Sequence, residues 1–435
     1  MKIVVLGAGE SGIGAALLAK QNKEDVFVSE YGTIKSLFKS ELESNGIDFE
    51  ESKHTESKIV TADLIIKSPG IPEGIPIIQK IRNHKIELIS EIEYAYRHCN
   101  SKIIAITGSN GKTTTTLLIN HILKTNKLNV EACGNIGNSF SRALTESKLS
   151  DYYIVEVSSF QLDDCIDFKP DIALLLNITP DHLDRYNESI HKYAQSKYKI
   201  AANQNSEDVF IYNEDDFLTI EFLNSIELTQ MLIPVKSNDI KRPLLMSNGD
   251  SIDIRKLKLK GEHNAFNAAC ASEVALKLGL TAEQIEIAMM SFSNVDHRLE
   301  KVARINQVLF VNDSKATNVD SVLYALDAFD EKIVWIAGGK DKGNDYSDLM
   351  SLVEEKVHTL ICLGVDNQKL LDVFTPVIKN IEETQDVFEA VEIACKYAKE
   401  DEVVLLSPAC ASFDLFDNYE HRGELFKKAV FSLIK

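Results

Sequence analysis

The chain has 435 residues, 44% of them hydrophobic, which is enough for packed cores in about three domains. Its 66 Asp and Glu against 47 Lys and Arg leave a net charge of −19. This argues against nucleic acid as the main partner, because no excess cationic field exists to neutralise phosphates. The seven cysteines form no CxxC pair, and no apolar run approaches the roughly 18 residues of a membrane helix. A reduced, cytoplasmic protein without a membrane span is therefore expected.

Three blocks of alternating strand and helix follow in chain order. The pattern predicts parallel sheets covered on both faces, an α/β fold. The first block, 1–97, has strand-like runs at 3–6, 26–29 and 64–67. Its first strand leads into Gly7-Ala8-Gly9-Glu10-Ser11-Gly12, a G-x-G-x-x-G turn, and Glu30 ends the second strand. Alone, this reads as a dinucleotide site, hence a nicotinamide dehydrogenase. A UDP-linked ligand would use the same device, and a tight turn without ligand would also look like this.

The second block, 98–296, decides against the dehydrogenase. The apolar run 103–106 feeds Thr-Gly-Ser-Asn-Gly-Lys-Thr-Thr-Thr-Thr at 107–116. Gly108 and Gly111 let backbone N–H groups approach phosphate oxygens around Asn110, and Lys112 adds charge. Thr113 is placed to reach Mg²⁺, with Thr114 beside it. The loop departs from the usual phosphate-loop pattern, since Ile106 stands where the first glycine is wanted. Further strands are expected at 153–157 and 172–178 and a helix at 264–278. Glu156 ends the first of these strands, as a Mg²⁺ ligand would or as a solvated strand-end acid would. The second leads into Asn177-Ile178-Thr179-Pro180-Asp181-His182-Leu183-Asp184. Lys197, on a following helix, reads from the residues alone as an ordinary surface lysine. The stretch 237–250, with Asn248-Gly249, reads as turns in a small β insertion. The third block, 297–435, holds buried-strand runs at 308–311, 333–337, 359–363 and 403–406, separated by helices at 347–356 and 386–399.

Segments 107–114, 156–161, 177–186, 261–267, 312–317 and 407–423, with Lys197 and His297-Arg298, together resemble the Mur ligase family. They extend over the whole chain. The segments 134–137, 156–162 and 407–414 are most similar to its D-glutamate-adding branch. The resemblance implies three domains: a Rossmann-like UDP-substrate domain (1–97), a phosphate-loop ATPase-type domain (98–296), and a Rossmann-like domain (297–435) that binds D-glutamate and closes on ATP. It implies a monomeric ATP-dependent ligase that joins D-glutamate to UDP-N-acetylmuramoyl-L-alanine through an acyl phosphate, in precursor synthesis for the peptidoglycan wall. The nearer alternatives are folylpolyglutamate synthetase, which shares the ligase core, and a Mur ligase that adds a different amino acid. Two Mg²⁺ ions are implied, one on Thr113 and Glu156, the other on His182 and a carbamylated Lys197. Asn264 and Asn267 would face adenine; Arg298 and Asp313 would take phosphate and ribose. Lys315, Thr317, Lys342, Ser412 and Phe413 would form the D-glutamate pocket. Ser11, Gly12, Glu30, Ser68, Pro69, Gly70 and Asn135 would face the UDP-sugar. Two departures stand out: Ser29-Glu30-Tyr31 replaces an Asp-Thr-Arg pattern at the uracil site, and Lys340 stands where some relatives carry an acid.

Overall fold

The computed structural model describes residues 1–146, 148–236, 244–253, 262–292, 296–341 and 343–434. The chain forms two compact units. The first holds Met1–Pro180, Arg185–Leu257 and Asn264–Phe292; the second holds Asp181–Asp184, Lys258–His263 and Ser293–Lys435.

The first unit contains two parallel sheets. Strands β1 (Lys2–Leu6), β2 (Asp25–Ser29), β3 (Asp48–Glu50), β4 (Leu64–Lys67) and β5 (Glu87–Ser90) lie in the order β3-β2-β1-β4-β5. The side chains of Ile3, Val4, Val5 and Leu6 are all buried, the continuous apolar run that a strand covered on both faces requires. The chain moves outward from β1 to β3, then returns to the other side of β1 as β4. That reversal opens a crevice at the carboxyl ends of β1 and β4.

The second sheet contains β6 (Lys102–Thr107), β7 (Val130–Gly134), β8 (Tyr152–Glu156), β9 (Ile172–Leu175), β10 (Val209–Asn213) and β11 (Met231–Val235). Its order is β11-β10-β9-β6-β8-β7. The glycine loop therefore leaves a central strand, with Glu156 ending one neighbour and Asn177 following the other. The expected insertion is an antiparallel pair, β12 (Leu244–Leu245) and β13 (Ser251–Ile252), around Asn248-Gly249. Residues 237–243 of that stretch lie outside the described residues.

Acidic residues near residue 90 join the two sheets. Glu93 is buried and its carboxylate accepts the backbone N–H groups of Ile166, Asp167 and Phe168 at 2.9–3.1 Å. Arg142 binds Glu10 at 2.7 Å and Glu41 at 2.5 Å. Glu91 accepts the Ser141 N–H at 2.5 Å, while its other oxygen is buried without a hydrogen-bond partner. Burial pushes the Glu91 carboxyl up to about 7. A carboxyl raised on folding stabilises fully below its unfolded pKa, and that stability is lost as pH rises toward the folded value. Glu91→Gln keeps an acceptor for Ser141. It should flatten the pH dependence of unfolding free energy between about pH 4.5 and 7, a span worth about 3 kcal/mol. Urea melts at pH 5 and 8 check this, and an unchanged slope in the variant would contradict the assignment.

In the second unit β14 (Glu300–Ile305) pairs antiparallel with β15 (Val308–Asn312). The rest is parallel: β16 (Ile333–Gly338), β17 (Val357–Leu363), β18 (Asn380–Thr384) and β19 (Val403–Ala409), in the order β14-β15-β19-β16-β17-β18. Trp335 is fully buried in its core and donates to the Ser407 carbonyl at 2.7 Å. Among the described residues, no helix is long and apolar enough to cross a membrane.

Candidate active site

The buried strand β6 delivers the glycine loop to the start of helix Lys112–Thr125. Gly111 is its N-cap, at φ 85°, a conformation that favours glycine. A methyl group there would lie 2.5 Å from Asn267 Oδ1. Only glycine lets the loop approach that amide, so the adenine candidate Asn267 meets the loop directly. Asn264, one helical turn earlier, is buried as well. Asn177 braces the loop from the other side. Its Oδ1 accepts the Asn110 N–H at 2.8 Å and its Nδ2 donates to the Asn110 carbonyl at 3.1 Å. Ser109 is locked to Thr179 by bonds in both directions, each 2.9 Å. In the sequence Asn177 belongs to the segment 177–186 but carries no assigned task.

Lys112 folds back over the loop and donates to the carbonyls of Gly108 and Ser109 at 2.7 and 2.8 Å. Lys197 donates to the same Gly108 carbonyl at 2.8 Å and lies 4.3 Å from the Tyr193 ring centre. Lys197 is only 1% exposed, which overturns its reading as a surface lysine. Its helix, Ile190–Tyr198, is pinned next to Glu156's strand because Ser196 Oγ donates to the Ser159 carbonyl at 2.7 Å. Two ammonium groups thus meet at one backbone carbonyl. Like charges so placed repel unless an anion joins them, and phosphate is the anion this loop suits.

Glu156 is 2% exposed. Its Oε1 accepts from Asn135 Nδ2 at 3.0 Å, and its Oε2 is buried with no hydrogen-bond partner. A methyl at Gly134 (φ 101°) would sit 2.4 Å from the Glu156 carbonyl, so β7 can press this close only with glycine there. Asn135, expected to face the UDP-sugar, orients the Glu156 carboxylate. An orphaned carboxylate oxygen fits a divalent cation. Among the described residues no group of three or more His, Cys, Asp or Glu could hold a metal. The donors present, one carboxylate and the buried Thr113 hydroxyl, suit Mg²⁺, which takes most of its ligands from phosphate and water. Glu156→Gln keeps the Asn135 contact and removes the charge. It should lower kcat by roughly 10²-fold or more and raise the Mg²⁺ concentration for half-maximal rate. A magnesium titration of both forms checks this; identical curves would remove Glu156 from the metal site.

His182 adopts a left-handed φ of 53°, and its Nε2 lies 3.7 Å from Asp181 Oδ2. Asp181 also accepts from Asn318 Nδ2 at 3.4 Å. In the same unit Asp313 is buried, with Ser407 Oγ at 2.9 Å and the Leu299 N–H at 3.1 Å. Burial pushes its carboxyl up to about 6, against the pull of Arg298. Arg298 Nε is itself buried without a hydrogen-bond partner, a donor suited to an anionic ligand. Lys315 reaches the Tyr419 hydroxyl at 2.9 Å and lies over its ring. Thr317 is half-buried, Ser412 is buried, and Phe413 is 71% exposed. Lys342 lies outside the described residues, and the exposed Lys340 pairs through its backbone with Ala411. Arg422, which lies in the segment 407–423 without an assigned role, is buried and draws three strand ends together. It donates to the carbonyls of Ser314 at 2.8 Å, Cys410 at 3.3 Å and Gly338 at 3.4 Å.

At the reversal of the first sheet a cavity of about 620 Å³ is lined by Gly7, Glu30, Tyr31, His54, Gly70 and Ile71, among others. A methyl at Gly12 would lie 1.9 Å from the Gly7 carbonyl, so Gly12 serves the close packing of helix on turn. Ser11 and Pro69 are half-buried beside this turn. Ser68 Oγ is buried without a partner. Glu30 is committed to the backbone: it accepts from Ala8 N–H at 2.8 Å and Gly32 N–H at 2.7 Å.

Three family models match the chain: the MurD N-terminal domain over residues 2–74, the Mur ligase middle domain over 106–275, and the Mur ligase glutamate ligase domain over 297–410. The chain is 47% identical to the UDP-N-acetylmuramoylalanine–D-glutamate ligase of Christiangramia forsetii, with 99% of each chain covered. It is 48% identical to the ligase of the same name from Bacteroides fragilis, again with 99% of each covered. Among solved structures, UDP-N-acetylmuramate-alanine ligase MurC of Thermotoga maritima superposes with a TM-score of 0.65 at 20% identity over 100% of both chains. Folylpolyglutamate synthase of Mycobacterium tuberculosis gives 0.59 at 13% identity over 78% of this chain and 92% of that one. These structural likenesses establish the fold.

Proposed function

The chain belongs to the Mur ligase family, and on that premise we propose that it joins D-glutamate to UDP-N-acetylmuramoyl-L-alanine, with ATP converted to ADP and phosphate. The relatives that are nearly half identical over their whole length carry this activity in their names. The whole-length match sets aside the dehydrogenase reading, and the N-terminal family match favours this ligase over a folylpolyglutamate synthetase.

The chemistry follows in two steps. A carboxylate oxygen of the L-alanyl group attacks the γ-phosphorus, the bond to the β-phosphate oxygen breaks, and ADP leaves. The amine of D-glutamate then attacks the acyl carbon, loses a proton, and expels phosphate as the amide forms. Phosphoryl transfer between anions is a problem of positioning and charge neutralisation. Lys112 and the loop N–H groups hold the transferring phosphate, and Asn264 and Asn267 hold the adenine. Arg298 and Asp313 take the phosphate and ribose of ATP. Lys315, Thr317 and Ser412 bind the two carboxylates of D-glutamate, with Arg422 fixing the ends of the strands around them. Ser68 and the Gly7 turn face the UDP-sugar.

Magnesium, when bound, offsets the charge on the β- and γ-phosphates and the attacking carboxylate. Glu156 Oε2 and Thr113 would hold one ion. For a second, Lys197 in carbamylated form would supply anionic oxygen in place of an ammonium, joined by His182 as the family pattern implies. The buried position of Lys197 supports this, since an amine with no ligand role gains little from the interior. In this reading residues 1–97 serve the UDP-sugar, 98–296 serve ATP, and 297–435 bind D-glutamate and close on ATP. We infer a cytoplasmic enzyme, the compartment that suits nucleotide substrates.

The observation that carries this reading is the glycine loop with Lys112 folded over it and the buried, unpartnered Glu156 Oε2 on the neighbouring strand. A coupled assay of ADP release, run with a panel of amino acids against UDP-N-acetylmuramoyl-L-alanine, tests it. D-Glutamate alone should support turnover; release driven equally by L-glutamate or by another amino acid would refute the assignment.

A further inference from the structure

The cavity at the reversal of the first sheet contains a hydrogen-bond relay that fixes the proton on one histidine. Glu50 ends β3 buried. Burial works against its charge, yet hydrogen bonds from Thr55 and Ser29 hold its carboxyl below the usual value, so it is a carboxylate that only accepts. Ser29 Oγ lies 2.8 Å from Glu50 Oε1 and must donate its proton there. The same hydroxyl lies 2.8 Å from His54 Nδ1, so it can only accept from that nitrogen. Burial holds the His54 imidazole below the usual histidine value, against the Glu30 and Glu50 carboxylates, so the ring is neutral at physiological pH. The proton is then on Nδ1, and Nε2 is a bare acceptor with no partner among the described residues. His54 lines the cavity, and its ring lies 5.6 Å from that of Tyr31, which is 73% exposed.

The orientation of a nucleotide here follows from the sheet. Helix Glu10–Gln21 begins at the glycine turn, where its N-terminal amides and the unpartnered Ser68 hydroxyl suit a diphosphate. The ribose and base then extend over the end of β2, toward Tyr31 and His54. Glu30 is spent on the Ala8 and Gly32 amides, so the base must be read by other groups.

We propose that His54 Nε2 reads the imide N–H of the uracil base, with the Tyr31 ring stacked on its face. This rests on the UDP-sugar reading of the cavity. The relay through Ser29 and Glu50 makes His54 an acceptor at the position where uracil carries a donor.

The test uses isothermal titration of the full chain at pH 8 with UDP and with UDP methylated at N3, which lacks the donor. The wild type should bind the methylated probe about fivefold to tenfold more weakly, the worth of one hydrogen bond. His54→Ala should bind UDP more weakly by a similar factor and no longer distinguish the two probes. His54→Gln, whose amide oxygen is an acceptor, should restore part of the preference, which a merely structural role would not do. If His54→Ala kept the wild-type preference, the assignment of His54 would fall while the UDP site stood. If the wild type did not bind UDP at all, the UDP-sugar reading of the cavity would fall first and the His54 assignment with it.

Discussion

Lys112→Ala should lose turnover by roughly 10³-fold, the scale seen when one donor is removed from a site that stabilises developing charge. The fold should survive, because the ammonium sits on loop carbonyls at a partly buried surface and contributes no apolar packing. Two neutral acceptors lose a partner, at about 1 kcal/mol each when water can replace it. The checking experiment pairs ADP release with a thermal melt. Near wild-type release in a folded variant would remove the lysine from phosphate binding. Loss of both release and folding would mean that the lysine holds the loop together.

Lys197→Ala should be almost as damaging, roughly 10²-fold to 10³-fold in kcat, but for a different reason. If the lysine works as a carbamate, the alanine variant lacks an anionic ligand that a small carboxylate can imitate in the space left behind. Acetate should therefore restore part of the rate, while chloride at equal ionic strength should not. The space exists because the replaced side chain is buried. An alanine variant that kept most of its activity, or one indifferent to acetate, would leave Lys197 as a brace for the Gly108 carbonyl. A rate readout is preferable to mass spectrometry, since carbamates are labile.

The strands legible in the sequence were mostly those in sheet interiors. The runs at 3–6, 64–67, 103–106, 333–337 and 403–406 all became central strands, because burial on both faces writes itself as unbroken apolar residues. The strands that went unnoticed are mainly sheet edges: β3, β5, β7, β11, β14 and β18. Asn380–Thr384 reads Asn-Ile-Glu-Glu-Thr, a sequence no periodicity rule selects, and β11 carries Pro234, tolerable only at an edge. The central strand β10 was also missed. Within the site, the glycine loop was legible because its backbone needs glycine at fixed spacing. Lys197 was not, since only the tertiary fold buries it. His54 and Arg422 each act through a partner distant in sequence, Ser29 in one case and Ser314 in the other. Spacing along the chain carries no trace of such pairings.

In the proposed reaction an L-alanyl carboxylate is phosphorylated by ATP and then captured by D-glutamate. One measurement addresses both halves: a turnover with UDP-N-acetylmuramoyl-L-alanine labelled with heavy oxygen in its alanyl carboxylate, followed by mass analysis of the phosphate and the amide. With D-glutamate present, each phosphate released should carry one labelled oxygen and each amide should retain the other. Unlabelled phosphate alongside a D-glutamyl amide would show that the carboxylate never bonded to phosphorus. Labelled phosphate with no D-glutamyl amide would show that D-glutamate is not the acceptor.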